Sequence, residues 1–141
     1  MRHPDPRVQR VIDFFEQLQP ADLDRLPLLY ADDAHFKDPF NDVRGLPAVR
    51  AIFEHMFASV DAPRFAVLTA LAERDQAFLT WDFHFATRGR PMCIHGGTHL
   101  VFATDGRVAL HRDYWDAAEE LYEKLPVLGA LMRWLKRRAA G

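Results

Sequence analysis

The feature that most constrains this chain is a change of hydrophobic period after Pro63. Residues 64–72, 76–87, 91–104 and 107–116 are runs rich in β-branched and aromatic residues, parted only by Glu73-Arg74-Asp75, Arg88-Gly89-Arg90 and Asp105-Gly106. These breaks are hairpin-length, and Asp-Gly is a strong signal for a tight turn between antiparallel strands. The second half of the chain therefore predicts a four-stranded antiparallel meander.

The first half is helical in period. Asp5-Pro6 reads as an N-cap followed by proline at the first helical position, and Val8, Val11, Ile12, Phe15 and Leu18 recur on one face. Pro20 ends that helix. A short stretch from Asp22 carries Leu23, Leu26 and Leu29, with Pro27 too deep to be a first-turn residue, which predicts a kink or two separate turns. Ala34–Lys37 predicts a short strand and residues 38–47 a loop. Val49, Ile52, Phe53, Met56, Phe57 and Val60 form the clearest apolar helical stripe. Leu121, Leu125, Leu128, Leu131, Met132 and Leu135 predict a helical extension over residues 120–138, broken at Pro126.

Helices first and a meander afterwards make an α+β layout, with helices on one face of a curved sheet. A chain of 141 residues without repeats, low-complexity tracts or a linker predicts a single domain over 1–141. The net charge of -2 offers no footprint for nucleic acid. Arg133, Lys136, Arg137 and Arg138 are the local exception, and as a solvated helix end they suit the macrodipole. No apolar run reaches membrane-spanning length and MRHPDPR lacks the apolar centre of a signal peptide, so a cytoplasmic protein without a membrane contact is expected.

Several strings resemble one superfamily. Tyr30-Ala31-Asp32-Asp33-Ala34 followed by Asp38-Pro39 resembles the start of Δ5-3-ketosteroid isomerases and the wider SnoaL-like group. Asp105-Gly106-Arg107-Val108 resembles the hairpin before that group's last strand. His111-Arg112-Asp113-Tyr114-Trp115-Asp116 is similar to the end of limonene-epoxide hydrolases. The resemblance spans roughly residues 7–128 and implies the nuclear transport factor 2-like fold, a cone-shaped curved antiparallel sheet on N-terminal helices enclosing one pocket. Such a scaffold hosts enzymes and non-enzymes alike.

Placed on the isomerase pattern, Asp38 falls at the general base. Phe14, however, stands where a tyrosine hydroxyl is needed and Thr98 where a protonated aspartic acid is needed, so the oxyanion lacks its donors and standard steroid isomerisation is not expected. On the epoxide-hydrolase pattern Asp113 matches one catalytic carboxylate. Asp82 and His84 replace an arginine and the other carboxylate, and Phe36 and Asp38 replace the water-holding tyrosine and asparagine, so that relay is broken too.

Strand parity supplies candidates of its own. Phe78, Thr80, Asp82 and His84 share one face of their strand, and Trp81, Phe83 and Phe85 the other. Ala109, His111, Asp113 and Trp115 share a face of the last strand. Under the resemblance, Asp82, His84, His111 and Asp113 point into the cone with Asp38 near its mouth. Asp38 or Asp113 would then be a base, and His84 or His111 a proton donor or orienting group. Phe14, Phe36, Phe53, Phe57, Asp82, Thr98 and Trp115 would line the ligand site. The alternative parity buries the aromatic face and leaves Asp82 and His84 at a solvated edge or a dimer contact. Asp38 reads equally as a turn-former before proline, and the His111–Asp113 pair as a structural network.

His95 and His99 oppose Thr98 in parity and are expected on the outer surface unless Gly96-Gly97 makes a bulge. Without a helical H-x-x-x-H or a cysteine ligand set no metal is expected, and Cys93 reads as a small core residue. No nucleotide-binding or nucleophile-elbow motif occurs, so no cofactor is expected. The functional expectation is a small apolar metabolite (polyketide-, steroid- or terpene-like) in an internal pocket. Either acid–base isomerisation, cyclisation or hydration follows there, or binding alone. A homodimer is implied by the resemblance, with Trp81, Phe83 and Phe85 as its apolar face.

Overall fold

In the computed structural model, residues 1–117 are described together with Glu119 and Arg138. The expected helical extension over 120–138 therefore lies outside the described residues, apart from the exposed Arg138. The first helix, α1 (Pro6–Glu16), starts as its sequence dictates: the Asp5 carboxylate accepts from the Arg7 backbone N–H at 2.9 Å and Pro6 opens the first turn. A 3-10 turn (Pro20–Arg25) and a one-turn helix α2 (Leu26–Leu29) follow, so the chain resolves Pro27 as two separate turns. Strand β1 (Tyr30–Lys37) and strand β2 (Asp42–Arg44) precede helix α3 (Leu46–Ser59). Strands β3 (Asp61–Glu73), β4 (Gln76–Thr87), β5 (Arg90–Phe102) and β6 (Val108–Tyr114) complete the sheet. Among the described residues no helix is long and apolar enough to cross a membrane.

The six strands form one curved, unclosed sheet in the order β2-β1-β6-β5-β4-β3. The meander β3–β6 is antiparallel as its turns require, with Gly106 taking φ 88° in the Asp-Gly turn. The β1–β6 pair is parallel, so the sheet is mixed rather than wholly antiparallel. β1 is longer than the predicted Ala34–Lys37, and β2 occupies part of the predicted loop. The Asp38 backbone N–H bonds to the Asn41 carbonyl at 2.9 Å, closing a tight turn that brings β2 back onto β1.

Register shifts in β3 and between Val101 and Phe102 of β5 bend the sheet, because a bulge adds local twist. The concave face holds the core: Val8, Ile12, Tyr30, Val49, Leu100 and Val108 are fully buried between α1, α3 and the sheet. Arg7 fastens α1 to that sheet. Its guanidinium bonds Asp75 and the Arg74 carbonyl in the β3–β4 turn and lies 4.8 Å from the Phe102 ring centroid.

Candidate functional site

Parity along β4 to β6 decides what meets inside the sheet. Leu79 pairs with Thr98 and Trp81 with Gly96 across β4–β5, and Thr98 pairs with Asp113 across β5–β6. These residues, with His111, stand on the concave face. There Leu79, Trp81, Thr98, His111 and Asp113 line a cavity of about 40 Å³, walled otherwise by Val11, Phe15, Phe53, Phe65 and Val67.

The polar groups at this cavity form one chain of hydrogen bonds. Trp81 Nε1–H donates to Thr98 Oγ1 at 2.8 Å, and the Thr98 hydroxyl donates to Asp113 Oδ1 at 2.6 Å. His111 Nε2 lies 2.7 Å from the same Oδ1, and its Nδ1 lies 2.7 Å from the Tyr30 hydroxyl. A carboxylate only accepts, so the imidazole proton belongs on Nε2 and Nδ1 accepts from Tyr30. Every donor in the chain thus points toward Asp113. Asp113 Oδ2 makes no hydrogen bond among the described residues.

Apolar rings enclose this relay. Phe36 stacks on the His111 ring at 4.5 Å and Phe15 meets it edge-on at 5.7 Å. Tyr30, Thr98 and His111 are buried, which lends the hydrogen bonds a low-dielectric setting. Burial, and then the charge of Asp113, push the Tyr30 phenol well above its ordinary value, so it remains a proton donor. Tyr30→Phe removes that donor and leaves His111 Nδ1 bare. An expected loss of about 1–2 kcal/mol in unfolding free energy is measurable by urea denaturation.

Asp38 stands elsewhere. Its Oδ1 accepts from the backbone N–H groups of Phe40 and Asn41 at 2.8 and 2.7 Å, and from the Asn41 side chain at 3.0 Å. It organises the β1–β2 turn and does not line the cavity. Burial, the largest influence, raises its pKa from 3.8, and the Asp113 charge adds to this against the opposing hydrogen bonds. Because the folded value exceeds the unfolded one, the folded chain holds more protons between them, and stability falls as pH rises through that window. Asp38→Asn keeps an acceptor for both backbone N–H groups and removes this slope. Denaturation from about pH 4 upward should show a flatter profile for the variant, and identical profiles would refute the assignment.

The other candidates separate. Phe53 lines the cavity and Phe36 stacks behind it on His111. Phe14 faces a groove with Arg10, Leu28 and Leu29, on a different side of α1, because α1 turns position 14 away from the buried stripe of Val8, Val11, Ile12 and Phe15. Phe57 borders a groove with Leu18, Pro20 and Pro63, and Trp115 packs on Phe40 at 5.4 Å. Asp82 and His84 lie on the convex face, opposite to the placement under the resemblance. The physical reason is apolar area: Leu79, Trp81 and Phe85 are the buried parity of β4. Those aromatics consequently do not form an outer dimer face, and Leu71, Phe78 and Tyr114 are the large exposed apolar residues there.

Cys93, His95 and His99 share the convex face, so Cys93 is half-buried rather than a core residue. Gly96 and Gly97 make no bulge against β4. A ring covers each: a Cβ on Gly96 would come within 2.4 Å of Trp81 Cη2, and one on Gly97 within 2.7 Å of Phe78 Cζ. Reading the sequence for sites missed Tyr30 and Trp81. The signal for Trp81 was a large aromatic directly opposite a glycine, a pairing that places its ring across the neighbouring strand.

Comparison with known proteins places the fold. One solved structure similar to the chain is a hypothetical protein with a ketosteroid isomerase-like fold from Catenulispora acidiphila, in complex with trimethylamine. It is 15% identical, with 86% of this chain and 92% of that chain covered and a TM-score of 0.72. An LEH-like epoxide hydrolase of M. tuberculosis is 20% identical, covering 89% of this chain and 94% of its own, with a TM-score of 0.71. TerC, co-crystallised with polyporic acid, is 12% identical over 82% of this chain and 95% of its own, with a TM-score of 0.72. At these identities the likeness is one of fold. No curated protein matches the chain. The SnoaL-like domain matches residues 11–111, which is most of the chain and runs from within α1 through α3 and the sheet to His111 in β6, and so the chain belongs to the SnoaL-like family.

Proposed function

We propose that the protein binds a small, mostly apolar molecule against the concave face and moves a proton on it with Asp113, without a cofactor. The observation that carries this reading is a chain of four hydrogen bonds at an apolar cavity, in which Thr98 and His111, backed by Trp81 and Tyr30, both meet one carboxylate. Thr98 and His111 hold Asp113 by Oδ1, which leaves Oδ2 as the oxygen to accept a proton from a carbon acid or an attacking water. His111, backed by Tyr30, holds the carboxylate in position through its Nε2–H. Isomerisation, cyclisation or hydration of a ketone, enone or epoxide fits this geometry. The solved proteins of like fold support the reading only as a scaffold that accepts small molecules.

A second reading, binding without chemistry, is favoured by the cavity's size. About 40 Å³ is far below the ~300 Å³ of an ordinary ligand site, so a terpene-sized ligand must displace Phe15, Phe53 or Phe65. The exposed Leu71, Phe78 and Tyr114 suit a second copy of the chain against the convex face, which light scattering would report as a dimer.

The test is a thermal-shift screen of small ketones, enones and epoxides, followed by product analysis of every stabilising compound. The wild type should be stabilised by a compound that Val67→Phe, which fills the cavity, no longer binds. Conversion that stops in Asp113→Asn supports catalysis, binding without conversion supports the second reading, and stabilisation that survives Val67→Phe excludes the cavity as the site.

A further inference from the structure

On the convex face, away from the cavity, β4 and β5 bring together side chains of a different chemistry. We propose that Asp82, Cys93 and His95 form a site for a divalent transition-metal ion of the Zn2+ class. One ligand atom from each, a carboxylate oxygen, the thiol sulfur and a ring nitrogen, lies within 4.8 Å of the others. Asp82 Oδ1 is already in contact with His95 Nδ1.

Register explains the convergence. Asp82 pairs directly with His95, and His84 with Cys93, so four ligand-type residues occupy adjoining positions on one face of two neighbouring strands. Both strands are interior to the sheet, flanked by β3 and β6, and the ladders on either side fix their Cα positions. Tetrahedral bonds of about 2.0–2.3 Å set ligand atoms roughly 3.3–3.8 Å apart, so an ion would part the Asp82–His95 contact and draw the Cys93 sulfur toward the pair by side-chain rotation.

The donor set selects the ion. Sulfur and imidazole nitrogen disfavour Mg2+ and Ca2+, which take oxygen ligands, and favour Zn2+ and its neighbours. A carboxylate and a thiolate together carry two negative charges, which a divalent ion neutralises. Binding therefore releases the Cys93 thiol proton to solvent. Water would complete the coordination. The sheet separates this ion from the cavity, so it would tie β4 to β5 rather than act on a ligand of Asp113.

The experiment uses untagged, reduced, chelator-stripped protein titrated with Zn2+ against a chromophoric chelator, and with Co2+ for its spectrum. One ion should bind per chain, the Co2+ form should show a thiolate-to-metal charge-transfer band, and Zn2+ should raise the Tm. Cys93→Ser should lose the band, and Cys93→Ser and His95→Ala should each bind at least about tenfold more weakly. His99→Ala, on the same face but bonded to Gln76, should bind as the wild type does. Wild-type Co2+ protein without the thiolate band, or equal affinity in the wild type and Cys93→Ser, would overturn the proposal. Because the wild type alone can give the first of these results, a variant that fails to fold does not shelter it.

Discussion

Gly96→Ala is expected to lower the unfolding free energy by about 2–4 kcal/mol and the Tm by roughly 7–15 °C. A methyl group at position 96 meets Trp81 Cη2 at 2.4 Å, and the Trp81 ring is buried, so the clash is relieved only by moving the indole. Overpacking alone costs about 1–3 kcal/mol, and displacing the indole also breaks its bond to Thr98, worth about 1 kcal/mol more. Position 97 supplies the contrast. The Phe78 ring that covers it is 40% exposed and the nearest backbone atom, the Leu79 carbonyl oxygen, stands at 3.1 Å, so Gly97→Ala, which meets a surface ring rather than a buried one, should cost less. In Trp81→Phe the colliding atom is absent, and adding Gly96→Ala to that variant should recover part of the loss. A double-mutant cycle by urea denaturation measures this coupling, and strict additivity would show that the clash is not with Trp81.

Asp113 and His111 should separate the two meanings of the relay. Asp113→Asn retains an oxygen for Thr98 and for the His111 N–H, so the fold should change by no more than about 1 kcal/mol. Turnover of whichever compound the screen yields should drop roughly 100- to 10,000-fold, the usual worth of a positioned general base, with binding retained. His111→Ala should do something different. It deletes a buried ring between Phe36 and Phe15 and strips the Tyr30 hydroxyl and Asp113 of a partner, a loss of about 3–5 kcal/mol. If Asp113→Asn destabilises as strongly as His111→Ala, the relay is structural and the proton-transfer proposal falls.

How far the sequence speaks differs between elements. The three hairpin breaks carry their own turn chemistry, so β4 emerged with its observed ends and β3, β5 and β6 within a few residues of theirs. Asp5-Pro6 likewise announces α1. What parity withholds is direction. It groups Asp82 with His84, and Trp81 with Phe85, but both faces of β4 carry large apolar residues, so alternation alone does not say which turns inward. Only the pairing of Trp81 with Gly96, and the helices available to cover it, decide the matter. Tyr30 is hidden for another reason: its partner His111 stands 81 positions away, on a strand that runs parallel to β1, and no local pattern encodes such a contact. β2 was invisible because three residues between a proline turn and a glycine carry too little period to register.

The parallel seam between β1 and β6 also bears on how the chain is made. A ribosome delivers α1, α3 and β1 long before β6, yet the central strands of the finished sheet are those that β6 joins. Until it emerges, β1 has only the three-residue β2 beside it and leaves an edge of unpaired backbone groups toward the missing strand. Contacts of such long sequence separation form slowly. The nascent domain therefore passes through a stage in which α1 and α3 are made and the sheet lacks the strand that joins its two parts, when a chaperone or a second nascent chain has access to an edge that the mature protein conceals.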